Sequence, residues 1–358
     1  MLPRVHRGRG STLNLSGRFE RHARETVDDG WGSLEELADA PSPATQALPD
    51  RARSIIARNQ SPDVPFDQSI NPYRGCEHGC VYCYARPSHG YLGLSAGVDF
   101  ETRIFVKHEA AQLLRQELAR PGYLCKPISL GANTDAYQPL ERRLRITRQV
   151  LEVLAAARHP VGIVTKSAQV TRDIDLLAPM ARDGLARVYI SITTLSPEIA
   201  RTLEPRAAAP HRRLEAIRTL AAAGITTGVM VAPIIPALTD HEIEPILAAA
   251  ADAGAVSAGF VLVRLPYEVK ELMAAWLDAH FPGRATHVLS LIRQCRDGRL
   301  NDPEFGSRMR GSGVFAQLIT DRFRTASRRH GFDRRQMPQR TDLFRPPRLD
   351  GQFDLFGA

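Results

Sequence analysis

The chain has 358 residues, 43% of them hydrophobic, enough to bury one large core or two modest ones. Apolar residues fall in short runs, the longest near Gly228 to Leu238, well below the ~20 that a bilayer span needs. The basic start Met1 to Gly10 is not followed by the apolar stretch of a secretory signal. No membrane partner is therefore expected, and the expected localisation is cytoplasmic. The formal net charge of +8 is compatible with a polyanionic partner, although much of the arginine is scattered over helical segments.

Residues 1–60 are rich in Arg, Gly and Ser and lack sustained periodicity. They read as a polar N-terminal extension that wraps the surface or stays partly disordered. From Asp67 onward, short apolar segments alternate with amphipathic ones, the pattern of repeated strand-helix units and a parallel sheet. Strands are expected at Asp67 to Tyr73, Pro127 to Gly131, Val161 to Thr165, Arg187 to Thr193, Thr226 to Ala232 and Ser257 to Val263. Helices are expected between them at His108 to Ala119, Ile146 to Arg158, Arg172 to Arg182, Arg212 to Ala223 and His241 to Ala253. Gly224 and Gly254 are placed as C-terminal stops.

Six such units fit an open barrel, so the expected fold is α/β, a partial TIM barrel (β/α)6 over residues 61–266. Beyond Pro266, helices at Val269 to Ala279, Ala285 to Cys295 and Gly313 to His330 form a helical closing region, residues 267–333. Residues 334–358 read as a flexible Pro- and Arg-rich tail.

Five cysteines make no even disulfide framework, and three of them fall within eight residues. They occur in Ser69-Ile-Asn-Pro-Tyr-Arg-Gly-Cys76-Glu-His-Gly-Cys80-Val-Tyr-Cys83, a Cys-x3-Cys-x2-Cys spacing directly after the first expected strand. Three thiolates on one short loop can converge on one iron-sulfur cubane, and supplying only three leaves one iron open to a substrate or cofactor. The competing reading is structural zinc with His78 or a distant fourth ligand. Structural zinc usually takes paired Cys-x2-Cys knuckles, and no second pair occurs. His78 reads as a solvent-facing residue or as support for a ligand, and the isolated Cys125 and Cys295 as buried structural cysteines.

This spacing, with Tyr82 just before the third Cys, resembles the radical S-adenosylmethionine (radical SAM) superfamily. The resemblance implies a 4Fe-4S cluster on Cys76, Cys80 and Cys83, with the amino and carboxylate groups of S-adenosylmethionine chelating the fourth iron. It implies an electron from a reductant such as flavodoxin or ferredoxin, cleavage of the sulfonium to a 5'-deoxyadenosyl radical, and abstraction of a substrate hydrogen.

Functional groups of parallel barrels gather at the carboxyl ends of the strands. After the second strand comes a polar loop from Gly131 to Glu141 with Asn133, Thr134 and Asp135, in the position where the superfamily binds the amino group of the cofactor; the competing reading is a helix-capping turn. The third strand ends in Thr165-Lys166-Ser167, and the fourth carries Ser191, Thr193 and Thr194. These segments resemble the spore-photoproduct-lyase-related branch, in which a Lys after the third strand contacts the cofactor carboxylate and a Ser in the fourth contacts the ribose. Lys166 and Ser191 stand at those places, with a surface Lys and a satisfied strand Ser as the ordinary readings.

Glu204-Pro205-Arg206 follows the fourth strand, and Arg206 is a candidate for the cofactor carboxylate unless it forms a structural ion pair. Val231-Ala-Pro233 and Val261 to Val263 lie where the superfamily makes apolar or backbone contacts with adenine. Tyr73 and Tyr84 read as packing aromatics, with stacking or radical relay as the competing reading, and Tyr82 reads as a residue at the cofactor.

The likeness runs from about Ser54 to His330, most clearly in Asn71 to His89, Asn133 to Glu141, Ile163 to Ser167 and Leu203 to Arg213. Repair lyases of that branch place a hydrogen-donating Cys just before their cofactor-binding Ser. Asn133 and Thr134 occupy those positions here, and an Asn has no thiol hydrogen to give, so the thymine-dimer reaction is not assigned.

The terminus, Gly351-Gln352-Phe353-Asp354-Leu355-Phe356-Gly-Ala, resembles the peptide by which bacterial repair and replication proteins dock on the DNA sliding clamp. Such a peptide needs a tether, here Arg345-Pro-Pro-Arg, a polar anchor and two apolar anchors for a preformed groove. The competing reading packs both Phe residues on the chain's own domain. Gln339-Arg-Thr-Asp-Leu343-Phe344 is a looser copy, and Arg322 to Arg335 reads as a phosphate-facing surface or a solvated helix face. The leading expectation is a radical enzyme acting on DNA in repair or modification. The alternatives are RNA, protein or a small metabolite as substrate, or a non-catalytic metal-binding scaffold.

Overall fold

A computed structural model describes residues 5–20, 41–334 and 336–349. Its strands are β1 (Gln46–Pro49), β2 (Ile56–Arg58), β3 (Gln68–Ile70), β4 (Tyr73–Arg74), β5 (Arg103–Val106), β6 (Ile128–Leu130), β7 (Val161–Thr165), β8 (Ala186–Ser191), β9 (Thr226–Ile234) and β10 (Ser257–Leu262). Strands β3 and β6 to β10 are parallel, each beside its predecessor. These are the six expected from the hydrophobic pattern, in an order compatible with the partial barrel. In β7 and β8 the inward residues Val161, Ile163, Val188 and Ile190 are fully buried, and burying each such side chain stabilises by about 1.5–3 kcal/mol.

The connecting helices Ala110–Leu118, Ile146–Ala156, Ile174–Arg182, Pro210–Ala222 and Ile243–Asp252 fall where the amphipathic segments do. Two of them stop as expected: Ile225 N donates to Leu220 O, and Ala255 N to Ala250 O, just past Gly224 and Gly254. The helices Val269–His280, Ala285–Gln294 and Gly313–Arg329 supply the helical C-terminal region.

Four departures follow from contacts between segments distant in sequence. The expected first strand divides at Pro72, which lacks an N–H for the ladder. Its first part is β3, and its second, β4, pairs antiparallel with β5 in a separate three-stranded sheet with β1. Strand β2, in the polar extension, pairs antiparallel with β3 and covers the edge of the main sheet. Residues 9–12, read as a surface wrap, are buried.

The described part of the tail is docked. Gln339 Nε2 donates to Val161 O and Leu185 O at 2.9 Å each, and Phe344 packs against Tyr123 and His159. The looser peptide copy therefore covers the amino ends of β7 and β8. Gln352 to Phe356 lie outside the described residues. Of the Arg-rich stretch, Arg322 is engaged with Glu244 at 2.7 and 2.9 Å. No helix among the described residues is long and apolar enough to cross a membrane.

Candidate functional site

The cysteine loop leaves β4 through two glycines that only glycine fits well. Gly75 has φ +83°, and a Cβ there would stand 2.9 Å from His89, Ile104 and Phe100 O. Gly79 has φ +68°, with Glu101 Oε2 at 2.7 Å from such a Cβ. Cys76 N donates to Phe100 O at 3.0 Å and Cys83 N to Cys80 O at 3.2 Å.

Beneath the loop lies Arg86, fully buried. It donates to the carbonyls of Gly79, Cys80, Ala96 and Gly97 at 2.8 to 3.0 Å and pairs with the equally buried Glu101. Glu101 also accepts from Gly10 N and Ser11 N at 2.9 Å each. A buried guanidinium with its donors satisfied holds the loop from below, and its carboxylate partner fixes the N-terminal segment against it.

The loop turns Cys76, Cys80 and Cys83 into one cavity of about 280 Å³ beside the carboxyl ends of the strands. All three are free thiols. Burial pushes each of them up, and at Cys76 the Asp135 carboxylate and the other two cysteines add to the effect. Mutually close, unpaired thiols, Cys76 and Cys80 buried and Cys83 partly so, that ionise poorly alone are a donor set for a thiophilic centre that draws off their protons. Among the described residues no three His, Cys, Asp or Glu side chains are placed to hold a single metal ion. On an iron-sulfur cubane the thiolates bind separate irons and need not meet at one point.

Tyr82, Asn133, Asp135, Lys166 and Ser191 line the same cavity. Asp135 accepts from Thr165 Oγ1 (2.7 Å), Tyr137 N (2.8 Å) and Lys166 N (2.7 Å), and His78 Nδ1 stands 3.3 Å away. Burial works to raise this carboxyl, but His78 and the hydrogen bonds from the loop after β7 bring it down to about 2. His78 is buried against Asp135 and not solvent-facing.

Lys166 Nζ donates to Ala232 O at 3.1 Å and stands 3.9 Å from Glu204. Glu204, fully buried, accepts from Tyr82 OH, Arg213 and Thr193 Oγ1, the last at 2.7 Å. Burial opposes its ionisation, and the Arg213 guanidinium, Lys166 and the two hydroxyls overcome that, lowering it to about 2.

Two of the expected cofactor residues stand apart. The Thr134 hydroxyl is turned to Tyr73 O at 2.7 Å, and Asn71 Oδ1 accepts from Asn133 N and Thr134 N at 2.8 and 3.4 Å. Arg206 lies in the neighbouring cleft, 3.1 Å from Glu77. The sequence reading missed Arg264, which follows β10 at the cavity wall, its guanidinium 4.8 Å from the Tyr84 ring. It also missed the Arg86–Glu101 pair. Position directly after a strand was a usable signal for Arg264; no periodicity marks the pair.

Residues 70–250 match the family model described as Radical SAM superfamily. An uncharacterised protein of Mycobacterium tuberculosis is 36% identical over 233 residues, covering 64% of this chain and 68% of the relative. The radical SAM Nα-GlyT isomerase of Pseudomonas phage M6 is 24% identical over 184 residues, 49% of this chain and 35% of that protein. Spore photoproduct lyase complexed with dinucleoside spore photoproduct shares the fold, with a TM-score of 0.57 at 17% identity over 79% of this chain and 78% of that one.

Proposed function

The chain belongs to the radical SAM superfamily of enzymes, and on that premise we propose that Cys76, Cys80 and Cys83 hold a 4Fe-4S cluster with S-adenosylmethionine in the adjoining cavity. The observation that carries this is the convergence of three free thiols with Lys166, Asp135 and Ser191 on one cavity. Cys76, Cys80 and Cys83 would hold the cluster, and when bound it would supply the electron for reductive cleavage of the S-adenosylmethionine sulfonium, which is the source of the hydrogen-abstracting radical chemistry.

The chain's own residues prepare that cavity. Lys166 keeps a charged donor at its wall for the cofactor carboxylate, its only direct hydrogen bond among the described residues being to Ala232 O. Ser191 offers its hydroxyl to the ribose at the end of β8. Asp135 already accepts at both oxygens, so it acts as a strut tying His78 of the cysteine loop to β7 while its charge favours an ammonium nearby. Tyr82 closes the wall behind the third cysteine, anchored on Glu204.

We extend the proposal to DNA as the workplace, in repair or modification, with the Gln352 to Phe356 peptide docking on the sliding clamp. Support comes from that peptide and from the net charge of +8. Anaerobic reconstitution tests the chemistry: about four irons per chain and 5'-deoxyadenosine on reduction with S-adenosylmethionine are expected, and absence of either counts against it. A clamp pull-down with Leu355→Ala and Phe356→Ala tests the workplace; equal capture of wild type and variant removes the tail from the case. Comparing turnover on damaged DNA, transfer RNA and cell extract separates DNA from other substrates.

A further inference from the structure

A second cleft, of about 470 Å³, shares His78 with the cofactor cavity. The loops after β6, β7 and β8 build it, and its lining includes Arg142, Arg206 and Arg212 with Ser167 and Gln169. No carboxylate lines it. Arg206 is held by Glu77 at 3.1 Å and Arg212 by Glu215 at 2.6 Å, the latter pair exposed. Arg142 is exposed and has no ion-pair partner among the described residues. The cleft also meets the start of the helix Pro210–Ala222, whose first turn carries no acidic residue.

We infer that this cleft receives a phosphate ester of the substrate. Guanidinium forks match phosphate oxygens in a bidentate way, and exposed arginines give up weak surface pairs readily for a doubly hydrogen-bonded anion. The helix start adds favourable partial charge of the same sign. His78 borders both spaces, so a phosphate held here is one side chain away from the cofactor cavity. A polynucleotide crossing the rim can then seat one phosphate while a neighbouring nucleoside faces the cavity. The phosphate site stands on the cleft alone; its assignment to a polynucleotide rests on the DNA reading above.

The test is fluorescence anisotropy of the full chain with a labelled 12-nucleotide single-stranded deoxyoligonucleotide at 50 and 200 mM salt. Arg142→Ser/Arg212→Ser is expected to weaken binding about tenfold or more at the lower salt and to flatten the salt slope by about 0.7 for each phosphate the variant no longer neutralises. Unlabelled deoxynucleoside 5'-monophosphate should compete and the unphosphorylated nucleoside should not. A monophosphate that competes as well as unlabelled oligonucleotide assigns the site to a free nucleotide, and a large preference for the oligonucleotide assigns it to a chain; both outcomes support the cleft.

Unchanged affinity and slope in the variant overturn the proposal. So does competition by the plain nucleoside, or equal competition by polyglutamate, which would mark a surface for acidic proteins. Both arginines are exposed, and Arg142→Gln/Arg212→Gln provides a second pair should the first unfold. Iron content and 5'-deoxyadenosine formation should be unchanged in these variants, so failure of the cofactor reading and failure of the phosphate site give different results.

Discussion

Glu204→Gln isolates what the buried charge at the cavity wall contributes. The Glu204 carboxyl is lowered from an ordinary 4.5 to about 2, despite burial, by Arg213, Lys166 and its hydroxyl donors. Its folded pKa lies below the unfolded one, so the stabilisation is complete above pH ~4.5 and is lost as pH falls toward 2. At about 1.4 kcal/mol for each tenfold change in proton affinity, a lowering of this order corresponds to roughly 3 kcal/mol at neutral pH, most of which is lost by pH 3. The substitution also leaves Arg213 buried beside a neutral amide, and breaking a buried pair typically costs about 3–5 kcal/mol, a consistent figure.

Urea unfolding followed by circular dichroism, for wild type and variant at pH 7 and pH 3, reads both effects. The variant should be less stable by about 3 kcal/mol at pH 7, and the gap should narrow to about 1 kcal/mol at pH 3. Asp135 titrates in the same range but is common to both proteins, so it cancels in the difference to first order. A gap below about 1 kcal/mol at pH 7, or one that does not change with pH, refutes the reasoning.

Serine at Cys76, Cys80 or Cys83 should each reduce iron after anaerobic reconstitution from about four per chain to under one, whereas Cys125→Ser and Cys295→Ser should retain it; iron analysis and the visible spectrum decide. Lys166→Met should weaken S-adenosylmethionine binding by calorimetry about ten- to a hundredfold, the range of a charge-assisted hydrogen bond. Gly79→Ala forces a Cβ onto the Glu101 carboxylate at 2.7 Å in a left-handed backbone and should lower stability by about 2 kcal/mol or more. Gly93→Ala, also left-handed but facing open space, should cost about 1 kcal/mol; equal thermal midpoints for the two would discount the contact.

Much of the fold was legible because its signals are local. Alternation such as that of β7, and amphipathic segments such as Ile146–Ala156, lie inside windows of five to twelve residues. The cysteine triad is likewise contained in one loop, as are the strand ends carrying Lys166 and Ser191. Strands β1, β2, β4 and β5 were not legible, since their pairing partners, distant in sequence, supply most of the reason they are strands. The place of Thr134 in the loop after β6 points it to the cofactor, whereas its hydroxyl hydrogen-bonds Tyr73 O.

The sequence by itself determined the succession of strand-helix units, the three thiols on one loop and the polar residues at the strand ends, because periodicity and spacing are properties of neighbours along the chain. Only the tertiary structure decided that residues 9–12 lie buried against Glu101, that Gln339 and Phe344 seal the opposite end of the strands, and that Arg142, Arg206 and Arg212 share one cleft. Those contacts join segments up to about 220 residues apart, and each depends on burial and charge pairing that arise only once the sheet has brought the segments together.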